Sequence, residues 1–190
     1  MTNSQKLIEM EVKTLIHQTR AKEANPGGGA ILILVSNLAI NLMLMMDKNN
    51  WGVLEDKANV SRETILKISY KYSNLMQDDV DYFNELMDAY KNKLTCKDHF
   101  INACKSLEAM LGDNLKALEI LAFYLEFGKK STLTDGEIAN ELLRTSSISA
   151  IPTININLNE AEIDKDYCST IDRINELYQR NKLLIERRNK

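Results

Sequence analysis

At 190 residues the chain is long enough to bury one sizeable core, and 44% apolar with 27% charged residues is the balance of an ordinary globular domain. A formal charge of -3, from 24 basic and 27 acidic residues, excludes bulk attraction to nucleic acid or to an anionic membrane surface. Three cysteines, Cys96, Cys104 and Cys168, have neither an even count nor a metal-ligand spacing, so reduced thiols in a cytoplasmic protein are predicted and a disulfide framework is not.

In chain order, the first predicted helix covers Ser4 to Lys22, with Ile8, Val12, Leu15 and Ile16 on one face. It leads into Asn25-Pro26-Gly27-Gly28-Gly29-Ala30, where three glycines after a proline open onto an apolar run. Glycine permits close backbone approach, and a glycine turn at a helix start leaves N–H groups free to face an anion or polar ligand. An ordinary turn between helices is the competing reading. The run Ala30 to Met46 is 17 residues long, shorter than a typical membrane span, and it contains Ser36, Asn37 and Asn41. It reads as a helix at the centre of a helical assembly, with Asn37 and Asn41 satisfied by neighbouring helices. The polar stretch Thr2 to Glu23 lacks the basic n-region of a secretory signal.

A polar stretch from Asp47 to Val60, with Trp51 and Gly52, precedes a helix predicted from Ser61 to about Asn92. Thr95-Cys96-Lys97-Asp98 has the spacing of a capping box and starts the next helix, which carries Ile101, Cys104 and Leu107 inward, bends near Gly112 and ends at Gly128. Thr134-Asp135-Gly136-Glu137 is a second such match, starting a helix that runs to about Arg144. Asp135 in its first turn is favoured by the helix dipole alone. Ser146 to Asn159, around Pro152, reads as irregular, and Asp164 to Arg188 as a final amphipathic helix with Tyr167, Ile171, Ile174 and Tyr178 aligned. The basic end Arg187-Arg188-Asn189-Lys190 reads as a solvated tail. With two prolines and no sustained period-two alternation, the chain is predicted to be all-α, a single-domain multihelical bundle spanning residues 1–190.

The most telling chemistry lies in the helix after Ser61. Its apolar stripe runs Ile65, Ile68, Tyr72, Leu75, then Asp79, then Phe83, Leu86 and Tyr90. A carboxylate on a core face is either paired internally or faces a cleft that uses its charge or raised pKa. Asp78 and Asp81 fall off the stripe as surface charges, and His17 and His99 read as structural or exposed.

The Pro-Gly-Gly-Gly turn, the stretch from Asp79 through Phe83, Met87 and Ala89, the Gly128 loop leading to Asp135, and Ala150, Asn157 and Leu158 form one ordered set. This set resembles the formiminotetrahydrofolate cyclodeaminase and methenyltetrahydrofolate cyclohydrolase family over roughly residues 5 to 185. The resemblance implies an all-helical homodimer with a folate site near the subunit contact. It also implies chemistry at the N5/N10 one-carbon bridge of a tetrahydrofolate derivative, with no cofactor and no metal. Asp79 is then the leading candidate acid/base or electrostatic stabiliser and Asp135 the second. Pro26, Gly27, Gly28, Gly29, Phe83, Gly128, Lys129 and Asn157 are the substrate-binding candidates. Neither nucleic acid nor a membrane is an expected partner.

The chain departs from the family pattern at Ala30, Lys129, Ser149 and Thr153, where the pattern has serine, asparagine, glycine and asparagine. Two readings therefore stand: a folate one-carbon enzyme, and a catalytically degenerate helical dimer of the same fold that binds a ligand or a protein.

Overall fold

A computed structural model describes residues 6–21 and 26–190, and among them every regular element is helical. The apolar run forms α2 (Gly28–Met43), continued by a 3-10 turn, Leu44–Met46. Long helices α3 (Glu55–Lys91), α4 (Lys97–Phe127) and α5 (Leu133–Glu160) pack around it, and α6 (Cys168–Asn189) lies against α4 and α5. Ala30, Ile33, Ile40 and Met43 of α2 are fully buried at the centre of the core. Gly28–Met46 is also the one described helix long and apolar enough to cross a membrane, and half of it is buried within the chain. Its outer side is not covered: Leu38 and Met45 remain 55% and 54% exposed.

Polar groups in the core pin the four central helices to one another. Tyr72 of α3 donates to Asn114 Oδ1 of α4 at 2.8 Å, and the Asn114 amide donates to Ser36 of α2 at 2.9 Å and to Ser147 of α5 at 3.0 Å. Ser36 in turn donates to Ser146 at 2.8 Å. Asn37 and Asn41 find their partners as expected, with Asn41 donating to Asn37 and Ser69 of α3 donating to Asn37 at 2.7 Å.

Several boundaries differ from expectation. The first predicted helix breaks at extended Met10 and Glu11, leaving a 3-10 turn, Leu7–Glu9, and the short α1 (Val12–Thr19). Ser4 and Lys22 lie outside the described residues. Most of its predicted inner face is turned outward, with Ile8, Val12 and Ile16 exposed, while Leu15 is half-buried against the core and Leu7 is the buried anchor. Eight residues make a helix marginal by itself, so its limits follow local contacts rather than periodicity. α3 starts at Glu55 instead of after Ser61, because Ala58 and Ser61 are buried while Glu55 and Asp56 suit its first turn.

α4 begins one residue later than its predicted cap. Cys96 is the N-cap, and His99 Nδ1 accepts the Cys96 N–H at 3.2 Å, in place of Asp98. The helix does not bend at Gly112 into a second element but runs on to Phe127. α5 has no side-chain cap; the Thr132 hydroxyl instead donates to the Met45 carbonyl at 3.0 Å. It also continues through Pro152 to Glu160, which overturns the irregular segment. Pro152 is exposed while Ala150, Ile151, Ile154 and Leu158 are buried, so packing outweighs the missing backbone bond. The basic end is held at one residue: Arg188 donates to the Leu125 and Gly128 carbonyls at 2.7 and 2.9 Å, closing the end of α4.

Candidate functional site

The site forms where the glycine turn meets α3. Gly27 is the extended residue before α2, so the first amides of that helix open toward whatever lies above Gly28 and Gly29. What lies there is Asp79. A Cβ built on Gly29 would fall 2.6 Å from each of its carboxylate oxygens, and the Ala30 N–H bonds to it. Burial pushes the Asp79 carboxyl up to about 6, against the lowering effect of that bond. Asp78 and Asp81 are exposed, as the sequence predicts.

Around this carboxyl is a cavity of about 220 Å³, lined by Gly27, Gly28 and Gly29 from the turn, Asp79, Val80 and Phe83 from α3, Ala103 from α4, and Thr153 and Asn157 from α5. Six of the predicted site residues therefore share one cavity, and Pro26 is buried directly before it. Among the described residues, Asp79 is its one titratable lining group. Ala103 carries no chemical signal in sequence, and Thr153 is noticeable only as a departure from the family pattern. Both reach the cavity through the register of α4 and α5, which sequence spacing does not reveal.

Gly128, Lys129 and Asp135 lie at the opposite end of α2. The Lys129 N–H donates to the Met46 carbonyl at 2.8 Å, and a Cβ on Gly128 would lie 2.7 Å from the same oxygen. Gly128 is thus required by close backbone approach. Asp135 is half-buried in the first turn of α5 beside this junction. From Gly28 to Met46 the rod is about 27 Å long at 1.5 Å per residue, so one chain does not bring the two carboxylates together.

This far end carries a second polar cluster that sequence reasoning missed. Asp47 accepts from Arg62 Nε at 2.5 Å and from Trp51 Nε1 at 2.9 Å. Burial opposes its ionisation, but the bonds from Arg62 and Trp51 hold its carboxyl below the usual range. Trp51 stacks on Phe123 with centroids 4.9 Å apart. Among the described residues, no three His, Cys, Asp or Glu side chains gather as a metal-ligand set.

Comparison with known proteins places this geometry in context. The family model described as formiminotransferase-cyclodeaminase matches residues 11–176. Among solved structures, the chain is similar to formiminotetrahydrofolate cyclodeaminase from Thermotoga maritima, with a TM-score of 0.82 at 22% identity. That superposition covers 94% of this chain and 96% of the other, so the all-α helical packing is shared over nearly the whole length. No curated protein matches significantly. With its fold matched end to end and the family model spanning most of its length, the chain is a divergent member of the formiminotransferase-cyclodeaminase family.

Proposed function

We propose that the chain catalyses a cyclodeaminase-type reaction at the N5/N10 bridge of a tetrahydrofolate derivative, with Asp79 as its proton-transfer group. The observation that carries this reading is a carboxyl pushed up to about 6 by burial, at the rim of an apolar cavity and over the first turn of a helix. In the proposed reaction N10 attacks the protonated formimino carbon while the Asp79 carboxylate takes the N10 proton. It then returns that proton to the exocyclic nitrogen. The C–N bond breaks, ammonia leaves with the bonding pair, and the cationic N5–CH–N10 bridge remains. The same carboxylate, close to a developing cation in a largely apolar site, stabilises it electrostatically. Phe83 offers a face for the flat pterin ring, and Thr153 and Asn157 offer donors and acceptors for its edge.

The active unit in this reading is a homodimer. A cavity of 220 Å³ is below the roughly 300–1,000 Å³ that encloses a drug-sized ligand, so a single chain leaves much of a folate uncovered. The outer stripe of α2, Ile31, Leu34, Leu38 and Met45, is apolar and incompletely covered, and Leu66 and Tyr70 of α3 extend the exposed apolar surface. A two-fold axis through the middle of that stripe sets two α2 helices antiparallel. Each cavity then meets the Gly128, Lys129 and Asp135 end of the partner.

The test is spectrophotometric turnover of formiminotetrahydrofolate and methenyltetrahydrofolate by purified protein, beside Asp79→Asn and a calorimetric folate titration. Turnover in the wild type, reduced at least 100-fold in Asp79→Asn, is the expected result. Folate binding without turnover assigns the chain to the binding-module reading, which the changes at Ala30, Lys129 and Thr153 favour. Absence of both removes the folate reading.

A further inference from the structure

The two glycines that open α2 are not equivalent. A Cβ on Gly28 would have nothing within 4 Å, whereas the three nearest atoms to a Cβ on Gly29 all belong to the Asp79 carboxyl, at 2.6, 2.6 and 2.9 Å. Neither glycine has a positive φ, so neither is required by backbone conformation. Gly29 is needed for space, and the space is occupied by one side chain. The helix-start amide nearest that space, Ala30 N–H, is already bonded to the same carboxyl. The turn therefore does not present an empty anion cradle: Asp79 is its resident anion.

We propose that Gly29 is the positioning residue for Asp79: its missing side chain forms the slot that holds the carboxyl against the first turn of α2, while Gly28 remains open to the cavity. The division is physical. Asp79 fixed in this slot is buried enough to hold its proton up to about pH 6, and its outer edge faces the cavity. An alanine at 29 would push the carboxyl off the Ala30 N–H and toward the open cavity. An alanine at 28 would only narrow the ligand's space. The inference rests on the proposed function solely for regarding Asp79 as the reacting group; the placement stands on geometry alone.

The deciding experiment follows the Asp79 carboxyl carbon by NMR across pH 4–8 in the whole chain, in wild type, Gly28→Ala and Gly29→Ala. Gly29→Ala moves the Asp79 midpoint down by about one unit or more as the displaced carboxyl meets water; Gly28→Ala leaves it in place. An unmoved midpoint in Gly29→Ala, or equal shifts in both variants, overturns the assignment. If Gly29→Ala does not fold, it is placed on an Asp79→Ala background, where the three atoms nearest to the new Cβ are gone. Recovery of the thermal unfolding midpoint to that of Asp79→Ala supports the slot, and continued loss of folding overturns it. Both readouts are independent of turnover, so a failed folate assay leaves this inference untouched. Where turnover is measurable, Gly29→Ala lowers kcat and shifts its pH profile with the carboxyl, while Gly28→Ala acts mainly on KM.

Discussion

A carboxyl pushed up to about 6 leaves a signature in stability as well as in chemistry. In the unfolded chain Asp79 loses its proton near 3.8, so between about pH 4 and 6 the folded state binds the proton and the unfolded state does not. Folding stability therefore falls as pH rises through that window, and above it the full cost of a buried, unpaired carboxylate remains. A shift of about two units corresponds to about 3 kcal/mol at 1.36 kcal/mol per unit. Asp79→Asn keeps an acceptor for the Ala30 N–H but carries no charge, so it should be more stable than wild type at pH 7, by about 2–3 kcal/mol, and nearly equal to it at pH 3.5. Urea unfolding at the two pH values measures this, and a variant weaker than wild type at pH 7 would refute the buried-charge account. The same carboxyl sets the rate profile: the carboxylate is the form that accepts the N10 proton, so kcat/KM should rise through an apparent pKa near 6. Asp79 was legible in sequence because it interrupts an apolar stripe that resumes at Phe83. Its contact with Gly29 was not, because the two are 50 positions apart and meet only through the register of α2 on α3.

At the scale of elements, what sequence revealed depended on whether periodicity or packing decided each helix. α2 is strongly apolar and α4 carries a recurring buried face, so their overall extents follow the pattern, whereas α5 is built from residues that favour turns. Ser146 and Ser147 bond back to the Leu142 and Leu143 carbonyls at 2.8 and 2.7 Å, so hydroxyls that compete with helix formation elsewhere are satisfied within it. Their other contacts, through Asn114 and Ser36, exist only once four helices have assembled. This network should therefore matter more than its size suggests. Asn114→Ala removes the shared hub and leaves Tyr72, which donates to it at 2.8 Å from a fully buried site, with only a longer 3.2 Å contact to Met110. A loss of roughly 3 kcal/mol is expected from the unsatisfied groups and the vacated volume. Chemical denaturation checks it; a loss under about 1 kcal/mol would mean that the core repacks around the hole.

Across the whole molecule, the candidate residues fall into two groups about 27 Å apart along one rod, with the apolar outer stripe of α2 between them. A folded monomer keeps Asp135 and Lys129 apart from Asp79. An antiparallel pair would bring them together, because a two-fold axis across the stripe sets each chain's Asp135 end against its partner's Asp79 end. Leu38, near the middle of the stripe and 55% exposed, is the residue whose charge would matter most to such a pair. Leu38→Glu should shift the sedimentation mass from two chains to one while leaving helix content intact, since no core contact is lost. Complementation is the sharper test. If each site takes Asp79 from one chain and Asp135 from its partner, Asp79→Asn and Asp135→Asn proteins are separately inactive. Mixed through a denaturation and refolding step, they form heterodimers as half of the population, each with one intact site of two, so about a quarter of wild-type activity should return. No recovery would place Asp135 outside the site and return it to its simplest role, an acid in the first turn of α5 that answers the helix dipole.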